Sequence, residues 1–122
     1  MPNNHRLRRL VTGDAVHLWS VRHRHSRTGS CEEVLSLYAE GARVPLRLVF
    51  REGDGRYVSE ALMATGRITK SGGGALNLRE PGTVRNLVDA AHAVGLLPGT
   101  GETDGWPVFD AVVRSGPWET GP

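Results

Sequence analysis

Residues that reverse a chain recur at short intervals through the first two thirds of this sequence. They are Thr12-Gly13-Asp14, Ser26 to Ser30, Glu40-Gly41, Gly53-Asp54-Gly55, Gly66 and Ser71 to Gly74. Glycine accepts positive φ without a steric clash, and Ser, Thr and Asp close turns by bonding to their own backbone. A chain broken this often has no room for long helices there. Apolar alternation between the breaks predicts an antiparallel meander.

The run from Val16 to His25 is the clearest strand. Val16, Leu18 and Ser20 alternate with His17, Trp19 and Val21, and the run then turns basic. Its first half reads as a central strand and its second half as projecting past the sheet. Val34 to Tyr38 and Val44 to Phe50 face each other across Glu40-Gly41-Ala42, with Val44, Leu46, Leu48 and Phe50 on one face. Pro45 has no amide donor, so it belongs at a strand start or on an edge. Gly53-Asp54-Gly55 is expected to fold Arg56-Tyr57-Val58 back as a hairpin. Residues 59–65 suit either a short helix capped by Ser59 or a strand; a seven-residue helix is marginal without packing, which favours the strand. Trp106 to Val113 reads as a last strand, after the strand-like Ala75 to Leu78.

One helix is expected, over about 82–95. Pro81 suits a first helical turn and Gly95 a left-handed C-terminal cap. Val84, Leu87, Val88, Ala91 and Val94 recur at helical spacing, and Arg85, Asn86, Asp89 and Ala93 fall on the other side. The expected fold is therefore α+β: six or seven antiparallel strands with one helix packed across a face. Residues 1–113 form a single domain, and the Gly- and Pro-containing stretch 114–122 is a mobile tail. A chain of 122 residues can bury a core without a metal or disulfide staple.

The charge is uneven. The chain carries 15 basic and 13 acidic residues, and the only lysine is Lys70. Residues 1–30 hold six Arg against Asp14, a net of +5, and the remainder nets −3. A total of +2 is far from that of a protein that coats nucleic acid, where each phosphate contact needs its own cation. Nucleic-acid binding through Arg6, Arg8, Arg9, Arg22 and Arg24 is accordingly not favoured. No run of about 18 apolar residues exists to span a membrane. Residues 1–10 have no apolar stretch behind their basic residues, so no secretory signal is expected. With Cys31 the single cysteine, no internal disulfide can form, which fits a cytoplasmic setting.

Several residues carry candidate chemistry. In a strand, His17, His23 and His25 point to one side and Arg22 and Arg24 to the other. Two imidazoles on one face can share a metal, but the usual set needs a third ligand and supporting hydrogen-bonded groups behind the ligands, and no carboxylate sits at short ligand spacing. No metal is expected. The plainer reading is a solvated basic strand end, with Arg22 and Arg24 suited to an anionic ligand because guanidinium forks match carboxylate and phosphate oxygens. His23, His25 and Asp110 are the candidate acid–base groups. Asp110 interrupts the apolar run from Trp106 to Val113; on a central strand it would be half-buried and in need of a partner. Asp89 and His92 read as ordinary helix neighbours. Glu32 and Glu33 face opposite sides of a strand and cannot act as a dyad. Cys31 has no neighbouring base in sequence and reads as a small hydrophobe. Ser71 to Gly74 lacks the lysine-serine end of a phosphate loop, and Gly99-Thr100-Gly101 fails the dinucleotide fingerprint, so no cofactor is expected. Trp106 is expected in the core, and Trp118 in the tail as a docking element.

The stretch Leu76 to Ala91, together with Trp19-Ser20-Val21-Arg22-His23, resembles small hypothetical proteins of Streptomyces-like actinobacteria, over most of residues 8–113. The resemblance implies strands plus one helix and a bacterial cytosolic setting, and it carries over no catalytic residue. No triad, metal set or phosphate loop is complete. The expected function is a small non-catalytic interaction module, an accessory subunit of a larger biosynthetic enzyme, with a protein partner or a second copy as its target. The alternatives are a small enzyme or ligand binder using His and Asp at one end of the sheet, and anion or nucleic-acid binding by the basic N-terminal third.

Overall fold

A computed structural model describes residues 7–13, 15–25, 27, 29–58 and 66–115. The described strands are β1 (Arg8–Thr12), β2 (Ala15–His25), β3 (Cys31–Ala39), β4 (Leu46–Arg51), β5 (Arg56–Val58), β6 (Arg67–Lys70), β7 (Gly74–Asn77) and β8 (Gly101–Asp104). The helices are α1 (Pro81–Ala93) and α2 (Trp106–Ser115). The fold is α+β, as the turn spacing implied. Its strands form two sheets rather than one meander: β1-β2-β3-β4-β8, with β8 parallel to β4, and β5-β6-β7. Antiparallel pairing joins β1 through β4 and β5 through β7. Gly53 and Arg56 do close a tight turn, but β5 leaves β4 there and starts the smaller sheet.

Alternation sorts the large sheet into two faces. Leu10, Trp19, Val21, Leu35, Leu37, Leu46, Leu48 and Phe50 point inward. They meet Ile68, Leu76 and Leu78 from the smaller sheet's region and both helices in one core. Val34 and Val49 are also buried but lie on the other face, outside that core. Val44 is exposed, because β4 begins only after Pro45.

The helix over 82–95 is found as α1. Val84, Leu87, Val88 and Ala91 are fully buried, and each large side chain contributes about 1.5–3 kcal/mol by burial. Val94 falls outside the stripe: the helix ends at Ala93, Gly95 takes φ 83°, and Val94 is left exposed.

The expected last strand, 106–113, is instead the helix α2. Trp106, Val108, Phe109 and Val112 are buried, a helical and not an alternating set. An Asp104 side-chain oxygen accepts from the Trp106 amide at 3.1 Å, and Pro107 occupies the first turn, where its missing N–H is harmless. Gly105 is needed just before it: a Cβ there would lie 2.6 Å from the Phe50 ring. Arg114 and Ser115 belong to this helix, so the tail does not begin at 114. Residues 116–122 with Trp118, residues 59–65 and Arg6 lie outside the described residues. No described helix is long and apolar enough to cross a membrane.

Candidate functional site

The β2–β3 hairpin builds the densest group of reactive side chains. Its register opposes His23 to Glu33, Arg24 to Glu32 and His25 to Cys31. The end of β2 therefore does not project past the sheet; it stays paired with β3 through His25. Directly opposed residues share a face, so His23, Glu33, His25 and Cys31 fall on the inner side and Arg24 with Glu32 on the outer.

On the inner side Glu33 is fully buried, and its Oε2 lies 2.6 Å from His23 Nδ1. A buried carboxylate requires such a partner. An ionised carboxylate can only accept, so with Glu33 ionised it is Nδ1 that donates. The His23 side chain is 9% exposed, and its Nε2 is buried with no hydrogen-bond partner among the described residues. The His23 and His25 rings meet edge-on, with centroids 5.1 Å apart. His25 Nδ1 lies 3.8 Å from Cys31 Sγ. One donor atom each from His23, His25 and Cys31 falls within 4.8 Å of the others. His25 is exposed, while Cys31 is half-buried against the core edge.

On the outer side Glu32 is buried beneath two guanidiniums. Arg24 Nε donates to its Oε1 at 2.8 Å, and Arg51 Nε donates to its Oε2. Arg24 also holds Glu102 of β8 with both terminal nitrogens, at 2.9 and 3.2 Å. Burial pushes the Glu32 carboxyl up, but Arg24 and Arg51 outweigh it and hold the group below its ordinary range. The Arg24 bond lowers Glu102 against the opposing effect of burial, with help from the charges of Arg47 and Arg22. Arg24 is correspondingly raised, by Glu102 first and Glu32 second. Arg22 is exposed and Arg47 half-buried on this face. Toward β1 the same face turns apolar, with Leu18 38% and Val11 49% exposed.

The other predicted residues are dispersed. Asp110 sits on α2, not a strand, and Lys70 Nζ of β6 donates to both its oxygens at 2.8 and 2.9 Å. It is a link between the smaller sheet and α2, separate from the His23–His25 group. His17 is buried and meets His92 of α1 edge-on at 6.0 Å; burial lowers its pKa first and the His92 charge second. A cavity of about 190 Å³ adjoins these two rings. A second, of about 350 Å³, lies at the carboxyl ends of β4 and β8, lined by Arg51, Glu52, Arg56, Asp104 and Trp106. The Arg56 guanidinium lies 5.7 Å from the centre of the Trp106 ring there. Trp106 is in the core, as expected.

Two residues gain neighbours that the sequence alone does not show. Cys31 has no base beside it along the chain, but the hairpin brings His25 across to it. Glu33 is the carboxylate that spacing did not provide: it stands ten residues from His23 in sequence and opposite it in the sheet. The available signal is the run of turn-forming residue types from Ser26 to Ser30 in the sequence, which implies that the strands on either side of it pair. In comparisons with known proteins, no family model, curated protein or solved structure matches this chain.

Proposed function

We propose that this domain is an interaction module that docks an acidic protein segment on the outer face of its large sheet, as an accessory subunit of a larger bacterial, cytoplasmic enzyme. The observation that carries the reading is the make-up of that face. Arg9, Arg22, Arg24, Arg47 and Arg51 stand on it against Glu32, Glu102 and Asp104. Glu32 and Glu102 are already bonded to Arg24 and Arg51, while Arg22 and Arg47 keep donors toward solvent. Guanidinium forks bind carboxylates in a defined geometry, and the neighbouring Leu18 and Val11 add apolar area at the centre of a contact. The test is a nitrogen-15 NMR titration with a poly-glutamate peptide. Shifts gathered at Leu18, Arg22 and Arg47, and lost in the R22E/R47E variant, support the reading. Shifts scattered over the surface, or equal in the variant, refute it.

The cavity beside Trp106 favours a second reading, a small-ligand binder. Cavities of this size at the carboxyl ends of parallel strands commonly hold ligands. Arg56 would receive an anionic group there. Asp110 has no part in this reading, because Lys70 holds it elsewhere. Quenching of tryptophan fluorescence by small carboxylates in wild type but not in Arg56→Gln would favour it; identical quenching in both would remove it.

A further inference from the structure

We propose that His23, His25 and Cys31 form a zinc site, with Glu33 as the positioning residue for His23. From sequence no metal is expected, because neither a third ligand nor supporting groups behind the ligands are apparent. The hairpin supplies both. Cys31 stands opposite His25, and Glu33 stands opposite His23.

Four observations converge on this group. The first is spacing. Bonds of about 2.3 Å to sulfur and 2.0–2.1 Å to nitrogen at tetrahedral angles place the two ligand atoms roughly 3.6 Å apart. The Sγ of Cys31 and Nδ1 of His25 are 3.8 Å apart, and the whole set lies within 4.8 Å. The second is an unmet atom: His23 Nε2 is buried and has no hydrogen-bond partner among the described residues. Buried polar atoms are rarely left so, and an unprotonated imidazole nitrogen is a metal ligand.

The third observation is the tautomer. Glu33 Oε2 lies 2.6 Å from Nδ1; with Glu33 ionised, Nδ1 is the donor and Nε2 is the nitrogen left for a metal. A carboxylate behind a ligating histidine fixes the ring and raises its basicity. The fourth is the donor set. Two imidazoles and one thiolate suit a borderline-soft ion. His25 is exposed and Cys31 half-exposed. Copper(II) beside an accessible thiol would oxidise it, whereas zinc has no redox step. Three protein ligands leave the fourth position to water or to an incoming group. This site lies on the inner side of the hairpin, opposite the face assigned to docking, so the two proposals stand or fall separately.

The test uses the full chain, freed of any affinity tag and dialysed against chelator. Calorimetry with zinc is expected to give one ion per chain. Repeating it in buffers of different ionisation enthalpy should show about one proton released, from the Cys31 thiol. Cobalt substitution should produce a thiolate-to-metal absorption band. Cys31→Ser removes the band, and His25→Ala weakens binding at least tenfold; neither residue is in the deep core, and NMR spectra of the apo variants check that both fold. Glu33→Gln lowers zinc affinity about 10–100-fold while keeping the thiolate band, the signature of a positioning role. No zinc binding, or equal binding by wild type and Cys31→Ser, overturns the proposal. So does a cobalt complex without the thiolate band.

Discussion

Two rows cross the same hairpin one residue apart and are solved in opposite ways. The outer row, Arg24–Glu32–Arg51, surrounds a buried carboxylate with two guanidiniums, and both of its oxygens are bonded. The inner row, His23–Glu33, also pairs a buried carboxylate, but leaves a buried ring nitrogen with no hydrogen-bond partner among the described residues. Both lie in the same strands, with the same neighbours along the chain. The difference shows how period-two alternation can assign structural electrostatics to one side of a strand pair and a ligand-ready group to the other. A closed ion-pair network has no spare valence for chemistry; an imidazole braced from behind has one.

The sharpest way to break this comparison is to remove the inner imidazole. His23→Leu leaves Glu33 without the ring's hydrogen bond in a fully buried position. Breaking a buried pair by deleting one partner costs about 3–5 kcal/mol. Urea unfolding of the metal-free protein should show a loss of that order, and a change below about 1 kcal/mol would mean that the pair is not buried as described.

The outer row should lose less. Arg51 is 62% exposed on its side chain and can return to water. Glu32→Gln is expected to cost about 1–2 kcal/mol at neutral pH, since hydrogen bonds to charged groups are worth that much and solvent screens part of it. The pH dependence separates the cases further. Glu32 has a lowered pKa in the fold, so its contribution is complete above the unfolded carboxyl value. It is lost as pH falls through the lowered folded value. Stability measured downward from pH 6 should therefore fall less steeply in Glu32→Gln than in wild type; parallel curves would contradict the assignment.

His17 extends the comparison along the inner face of β2. Its pKa is lowered by burial and by His92, so the fold favours the neutral ring. The unfolded chain binds the proton more readily, and stability is lost as pH falls below the ordinary imidazole value of 6.5 toward the folded one. His17→Phe should flatten that part of the profile without affecting zinc binding. A profile unchanged by the substitution would exclude His17 as its source.

The smallest effect is expected at Lys70–Asp110, where both side chains keep solvent access, 26% and 37%. Asp110→Asn should cost less than about 1 kcal/mol in thermal unfolding. A larger loss would show that this bond between the smaller sheet and α2 is more than a surface pair.

Much of the fold was legible because local patterns were strong. Alternation marked β2, and Pro81 with Gly95 bracketed α1. The run 106–113 was misread because Trp106, Val108 and Val112 fit a strand as well as a helix; Asp104 and Gly105 as the entry to α2 were the deciding residues. In the helix Asp110 lies off the buried stripe and pairs with Lys70, so the central-strand position that made it a candidate does not arise. The division of strands between two sheets and the parallel addition of β8 depend on contacts far apart in sequence, which composition does not encode. The His23 and His25 candidates were legible one strand at a time. Their partners Cys31 and Glu33 became visible only through pairing, because a register is a property of two strands.

The most direct test of the inner row is the tautomeric state of His23, read from long-range nitrogen–proton NMR correlations in the metal-free protein and again after zinc is added. The account predicts a proton on Nδ1 in the metal-free protein, and a zinc-induced shift concentrated at Nε2. A proton on Nε2, or a ring whose two nitrogens do not respond to the metal, would contradict it.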